Sequence, residues 1–157
     1  MITDREPHTL VIGIGNRDRG DDAAGPLVAD AVRNATLEPS VTTTILEGDL
    51  SDLSLRWDPA QTVIIVDAAV TGAPLGTIHR DIELTACGTR PISSHGVSLQ
   101  DAIELGRRLD RMPEELTVVG IEARSFEHFD DPGAEVLQAV EVVAAEIIDR
   151  LAVRPCR

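Results

Sequence analysis

Three short stretches of the sequence carry groups able to bind a cation or move a proton. Asp21 and Asp22 close the run Gly13-Ile14-Gly15-Asn16-Arg17-Asp18-Arg19-Gly20-Asp21-Asp22. Asp67 directly follows the apolar run Thr62-Val63-Ile64-Ile65-Val66. His95 lies in Ser93-Ser94-His95-Gly96. Each has a plain structural explanation. Acids in a first helical turn cap it and offset its dipole, worth on the order of 1 kcal/mol. An Asp after a strand makes an Asx-turn, and a histidine beside glycine is an ordinary loop residue. Together they say more. Two carboxylates and one imidazole from separate loops form an O,O,N donor set suited to borderline divalent cations such as zinc, nickel or iron. Three ligands are too few for a closed structural site, so exchangeable positions remain for water or for a partner's atoms.

Other chemistries fit less well. The first loop begins like a dinucleotide fingerprint, G-x-G-x-x-G, but Asp18 stands at the third glycine position and the loop carries three carboxylates. Pyrophosphate would meet negative charge where a helix N-terminus should attract it. Ser93 and Ser94 lack the G-x-S-x-G elbow of a serine hydrolase. Cys87 and Cys156, the only cysteines, make neither a disulfide framework nor a four-cysteine zinc site and are read as bystander thiols. His8 and His79 are read as terminal and strand-surface residues. His128, beside Glu127, Asp130 and Asp131, is at most an accidental secondary metal site.

The elements that must position these groups alternate. Strands are expected at Thr9 to Gly13, Val41 to Leu46, Thr62 to Val66 and Leu116 to Ile121, with a weaker one at Gly76 to Ile82. That weaker strand follows the turn signal Gly72-Ala73-Pro74, so it folds back near its predecessor or sits at an edge. Runs apolar on both faces suit a sheet covered by helices on both sides. Helical periodicity links Leu27, Val28, Ala31, Val32 and Ala35, and less cleanly Val97, Ala102, Ile103, Gly106 and Leu109. Ser98-Leu99-Gln100-Asp101 resembles a capping box, which starts a helix at Ser98. The last helix carries a wide apolar stripe from Val136 to Leu151, with Asp131 as expected N-cap and Pro132 at its first position. This order predicts an α/β fold, three layers α/β/α around a mostly parallel sheet. In such sheets sites form beyond the carboxyl ends of the strands.

The 157 residues suit a single domain spanning 1–157. Hydrophobic residues at 43% can fill a core, and with aromatics at 2% that core must be aliphatic. A net charge of −13 opposes binding to nucleic acid or to an anionic membrane surface. No apolar run reaches bilayer length and no signal-peptide pattern opens the chain, so a cytoplasmic location without membrane insertion is expected.

The motifs Val11-Ile12-Gly13-Ile14-Gly15-Asn16, Gly20-Asp21-Asp22-Ala23-Ala24-Gly25-Pro26, Val63-Ile64-Ile65-Val66-Asp67-Ala68 and Ser93-Ser94-His95-Gly96-Val97-Ser98-Leu99 follow one another in order between residues 11 and 99. In this the chain resembles the nickel–iron hydrogenase maturation proteases. The resemblance implies a five-stranded twisted sheet between helix layers. It implies an endopeptidase that trims the C-terminal extension of a nickel-loaded hydrogenase large-subunit precursor, its partner. The metal-contact and catalytic set carried over is Asp22, Asp67 and His95. Asp22 stands where many members have Glu, and Asp21 is its rival. Nickel would arrive with the substrate, and zinc or cadmium could occupy the same site. A monomer is expected. After Gly120-Ile121-Glu122 the chain has Ala123 where members often have Pro, then Phe126-Glu127-His128-Phe129, which implies a changed loop. Two rival functions share these residues: a non-catalytic metal-dependent maturation chaperone, and a metal-independent protease using Asp22 and Asp67 as a dyad.

Overall fold

The computed structural model describes residues 8–57, 62–80 and 97–153. Five strands form one sheet: β1 (Thr9–Ile14), β2 (Val41–Leu46), β3 (Thr62–Ala69), β4 (Ile78–Arg80) and β5 (Glu115–Glu122), in the order β2-β1-β3-β5-β4. β1 pairs in parallel with β2 and β3, and β3 with β5; β4 alone runs antiparallel, against β5. The weak strand is therefore at the sheet edge, and it sits beside β5 rather than beside its predecessor.

Alternation along the strands splits the core in two. Val11, Ile64, Val66, Val119 and Ile121 face α1 (Ala24–Ala35) and α4 (Ala134–Ala152). Leu10, Ile12, Ile14, Val63, Ile65 and Val118 face α2 (Leu53–Arg56) and α3 (Leu99–Arg108). This is the three-layer α/β/α arrangement expected of two-sided apolar strands. Trp57 and Ile103 fill the second layer. The Trp57 indole N–H donates to the Arg111 carbonyl, which satisfies the one polar atom of a fully buried ring.

α3 begins as its sequence predicts: Ser98 is the N-cap and its hydroxyl accepts from the Asp101 amide at 3.1 Å. Other boundaries differ. Asp131 and Pro132 lie ahead of α4, whose N-cap is Gly133 with no side-chain cap of its own. The Asp21 carboxylate, distant in sequence, accepts from the Gly133 amide at 2.8 Å and replaces the expected local cap. β3 does not stop at Val66 but pairs with β5 through Ala69, so Asp67 is a ladder residue rather than an Asx-turn. A 3-10 turn (Gly20–Ala23) and the short α2 add elements that periodicity is too short to reveal.

The first glycines of the chain serve close approach. A Cβ on Gly13 would lie 2.3 Å from the Gly25 carbonyl, and one on Gly25 would lie 2.4 Å and 2.5 Å from the carbonyls of Ile14 and Val66. α1 thus starts in contact with the ends of β1 and β3 together, which places the turn before it at the carboxyl edge of the sheet.

Candidate catalytic edge of the sheet

Asp21 and Asp22 are neighbours in sequence with separate tasks. Both are 2% exposed. Asp21 is consumed structurally. Its Oδ2 accepts from the amides of Arg124 at 2.8 Å and Ser125 at 2.9 Å, and its Oδ1 from Gly133. The Asp21 amide in turn donates to the Ser125 carbonyl at 2.9 Å, and the Gly20 amide donates to the Asp130 carbonyl at 3.1 Å. This carboxylate therefore fastens the loop after β5 to the loop after β1 and covers the start of α4.

Asp22 points elsewhere. Its Oδ2 accepts from the Asn16 amide at 3.1 Å, which holds the carboxyl over the end of β1. Gly15, at φ +137°, makes this possible, because a Cβ there would lie 2.0 Å from the Asp22 carbonyl. The two glycines of the G-x-G motif thus admit a buried acid and a helix start rather than a phosphate. The 3-10 turn packs against β3, the strand that carries Asp67.

Asp67 continues the strand face of Val63 and Ile65, toward the α3 layer, and lies opposite Gly120 of β5. Burial pushes its carboxyl up to about 8, against a lowering by the hydrogen bond that its Oδ1 accepts from the Ala68 amide at 2.8 Å. Burial thus favours the protonated form of this group at neutral pH. Asp22, in the turn over the end of β1, and Asp67, near the end of the adjacent β3, thus lie toward one edge of the sheet. His95 lies outside the described residues, as do Ser93, Ser94, Gly96, Cys87 and Cys156. Val97, the first described residue after it, packs against the α3-side cluster. Among the described residues no three His, Cys, Asp or Glu side chains converge as a metal cluster, around His128 included. His128 instead stacks loosely with Phe129, ring centroids 6.1 Å apart.

The sequence reading missed a further buried acid at this edge. Glu122, 3% exposed, ends β5. Its Oε1 accepts from the amides of Thr71 at 2.8 Å and Gly72 at 3.0 Å, and its Oε2 from the Thr71 hydroxyl at 2.9 Å. His79 Nε2 lies 2.9 Å from the same Oε2, so His79 is a paired residue rather than a bare strand-surface one. Burial raises the Glu122 carboxyl, but these hydrogen bonds together outweigh it and hold it below its usual value. The signal in the sequence was a glutamate ending an apolar strand, the same signal that singled out Asp67.

A protein-family model described as hydrogenase maturation protease, HycI, matches residues 47–150. The hydrogenase 2 maturation protease of Escherichia coli K12 is 36% identical over 124 residues, covering 75% of this chain and 74% of that protein. The solved structure of the E. coli hydrogenase maturating endopeptidase HybD superposes with a TM-score of 0.71 at 28% identity, covering 92% of each chain. A nickel–iron hydrogenase maturation protease HycI from Thermococcus kodakarensis shares the fold, with a TM-score of 0.70 over 96% of both chains at 22% identity.

Proposed function

Since the chain belongs to the hydrogenase maturation protease family, we propose that it is an endopeptidase that removes the C-terminal extension of a nickel-loaded nickel–iron hydrogenase large-subunit precursor. Asp22, Asp67 and His95 contact the nickel that the substrate brings. The observation that carries this reading is the division of labour at the first loop. Asp21 is bound to three backbone amides, while Asp22 is held over the end of β1 in a turn that packs against β3, the strand that carries Asp67. That arrangement favours Asp22 over Asp21 as the ligand.

Two carboxylates and an imidazole bind a divalent cation weakly by themselves. They complete its coordination shell when the substrate supplies the remaining ligands. Nickel then acts as the recognition signal that fixes the scissile bond against the site. The carboxylates of Asp22 and Asp67 are the groups able to accept a proton from the attacking water. Asp67→Asn, Asp22→Asn and His95→Ala each leave the precursor at full length, read by mass after incubation with nickel-loaded precursor, while circular dichroism shows a retained fold. Normal trimming by these variants refutes the site. Full-length precursor after incubation with the unaltered chain refutes the peptidase and favours a non-catalytic maturation chaperone.

One observation favours a second reading. Asp22 and Asp67 are both buried acids at one edge of the sheet, the pair a carboxylate dyad would use. A dyad protease cuts nickel-free precursor and survives chelation; the nickel-recognising enzyme does neither.

A further inference from the structure

Next to this edge lies a cavity of about 270 Å³ lined by Val70, Ala73, Leu75, Ala123, Phe126 and Arg124, with Gly72 and Glu122 completing its wall. Its walls come from two places already tied to the site. Val70 and Ala73 follow β3, the strand that carries Asp67. Ala123, Arg124 and Phe126 follow β5, in the loop that Asp21 clamps to the loop of Asp22. That clamp is tight: besides the three amides on Asp21, Arg19 Nε donates to the Phe126 carbonyl at 3.3 Å. The cavity and the two acids therefore hold a fixed relation.

Its chemistry is apolar with one available cation. Both Glu122 oxygens are taken by Thr71, Gly72 and His79. Arg124 is exposed, and among the described residues its guanidinium has neither an ion pair nor a hydrogen bond. In a chain of net charge −13, most arginines of this structure are paired with carboxylates, as Arg17 is with Asp30 and Arg80 with Glu146. An unpaired guanidinium at the rim of an apolar cavity suits a ligand that is apolar at one point and anionic close by.

We propose that this cavity is a substrate subsite that takes one apolar side chain of the precursor's extension, in a segment whose nearby Asp or Glu pairs with Arg124. The proposal rests on the peptidase reading above and names the peptide chemistry selected beside the scissile bond. The volume is ample for an aliphatic side chain. An extended peptide places side chains on alternate sides, so an acid two positions away lies on the same side as the apolar residue and can reach the rim.

Two experiments test it with the full chain. In the first, ¹H–¹⁵N spectra are recorded while acetyl-Leu-Ala-Glu-amide or acetyl-Leu-Ala-Lys-amide is added. The amides of Ala73, Ala123 and Phe126 are expected to shift with the Glu peptide at concentrations where the Lys peptide has little effect. Ala73→Phe, which places a ring in the cavity wall and narrows it, is expected to abolish those shifts. Absence of shifts in the unaltered chain, or equal shifts with both peptides, overturns the subsite. In the second, cleavage of nickel-loaded precursor is followed in Ala73→Phe and Arg124→Glu. Each is expected to raise KM about tenfold with kcat within about twofold, the signature of lost binding rather than lost chemistry. Unchanged KM in both variants overturns the subsite although cleavage proceeds. An uncut precursor with the unaltered chain, alongside the expected peptide shifts, places the failure in the peptidase reading instead.

Discussion

At the scale of single residues, adjacent acids differ in what surrounds them. Asp21 has three amides within 2.9 Å, and hydrogen bonds to a buried charge are the strong ones. Asp21→Asn keeps the shape but replaces one acceptor oxygen with a donor facing a donor. It is expected to destabilise the fold by about 2–3 kcal/mol in urea unfolding. Asp67 works in the opposite sense. Its folded pKa of about 8 exceeds that of the unfolded chain, so between about pH 4 and pH 8 the folded state holds a proton that the unfolded state has released. Stability therefore falls as pH rises through that window. Asp67→Asn is expected to match the unaltered chain near pH 4 and to exceed it by on the order of 3–4 kcal/mol at pH 7. Equal unfolding midpoints at both pH values would contradict the buried carboxyl. At the proposed site the same proton would have to leave on cation binding, so zinc affinity by calorimetry is expected to strengthen as pH rises toward 8.

At the scale of elements, the site depends on how closely α1 approaches two strand ends. Gly25→Ala places a methyl against the carbonyls of Ile14 and Val66, neither of which can move without breaking the sheet. A cost of about 3 kcal/mol or more is expected, seen as a lowered Tm, with loss of any activity that needs Asp22 in place. Glu122 binds the β3–β4 connection to the end of β5, and four hydrogen bonds hold its charge. Because its folded pKa lies below the ordinary value, its contribution is present above the unfolded pKa and is lost as pH falls through the folded one. Glu122→Gln is thus expected to cost about 2 kcal/mol at pH 7, and that deficit narrows in acid. A deficit unchanged down to pH 3 would place its cause in packing rather than charge.

At the scale of the whole molecule, the charge of −13 is spread over a surface on which arginine pairs such as Arg108 with Glu104 and Arg150 with Glu115 neutralise only part of it. Such a surface attracts a basic partner face and repels an acidic one. Association with precursor is expected to slow about tenfold between roughly 0.05 M and 0.5 M salt; a salt-independent rate would leave the charge to solubility alone. Among the described residues no helix is long and apolar enough to cross a membrane.

The amino-acid sequence by itself determined the layers. Two-sided apolar strands and one-sided helices bury their surface in only a few ways, so the α/β/α order, the Ser98 cap and the two acids at strand ends were legible from periodicity and from where charge meets an apolar run. Three things only the tertiary structure decided. The hydrogen bonds of Asp21 to residues more than a hundred positions away separate it from Asp22. The extension of β3 past Val66 buries Asp67 in the ladder. The capping of α4 by a carboxylate from another loop displaced its start from Pro132 to Ala134. All three are contacts between distant segments, and a local pattern records a residue's own preferences but not the partner that folding delivers to it.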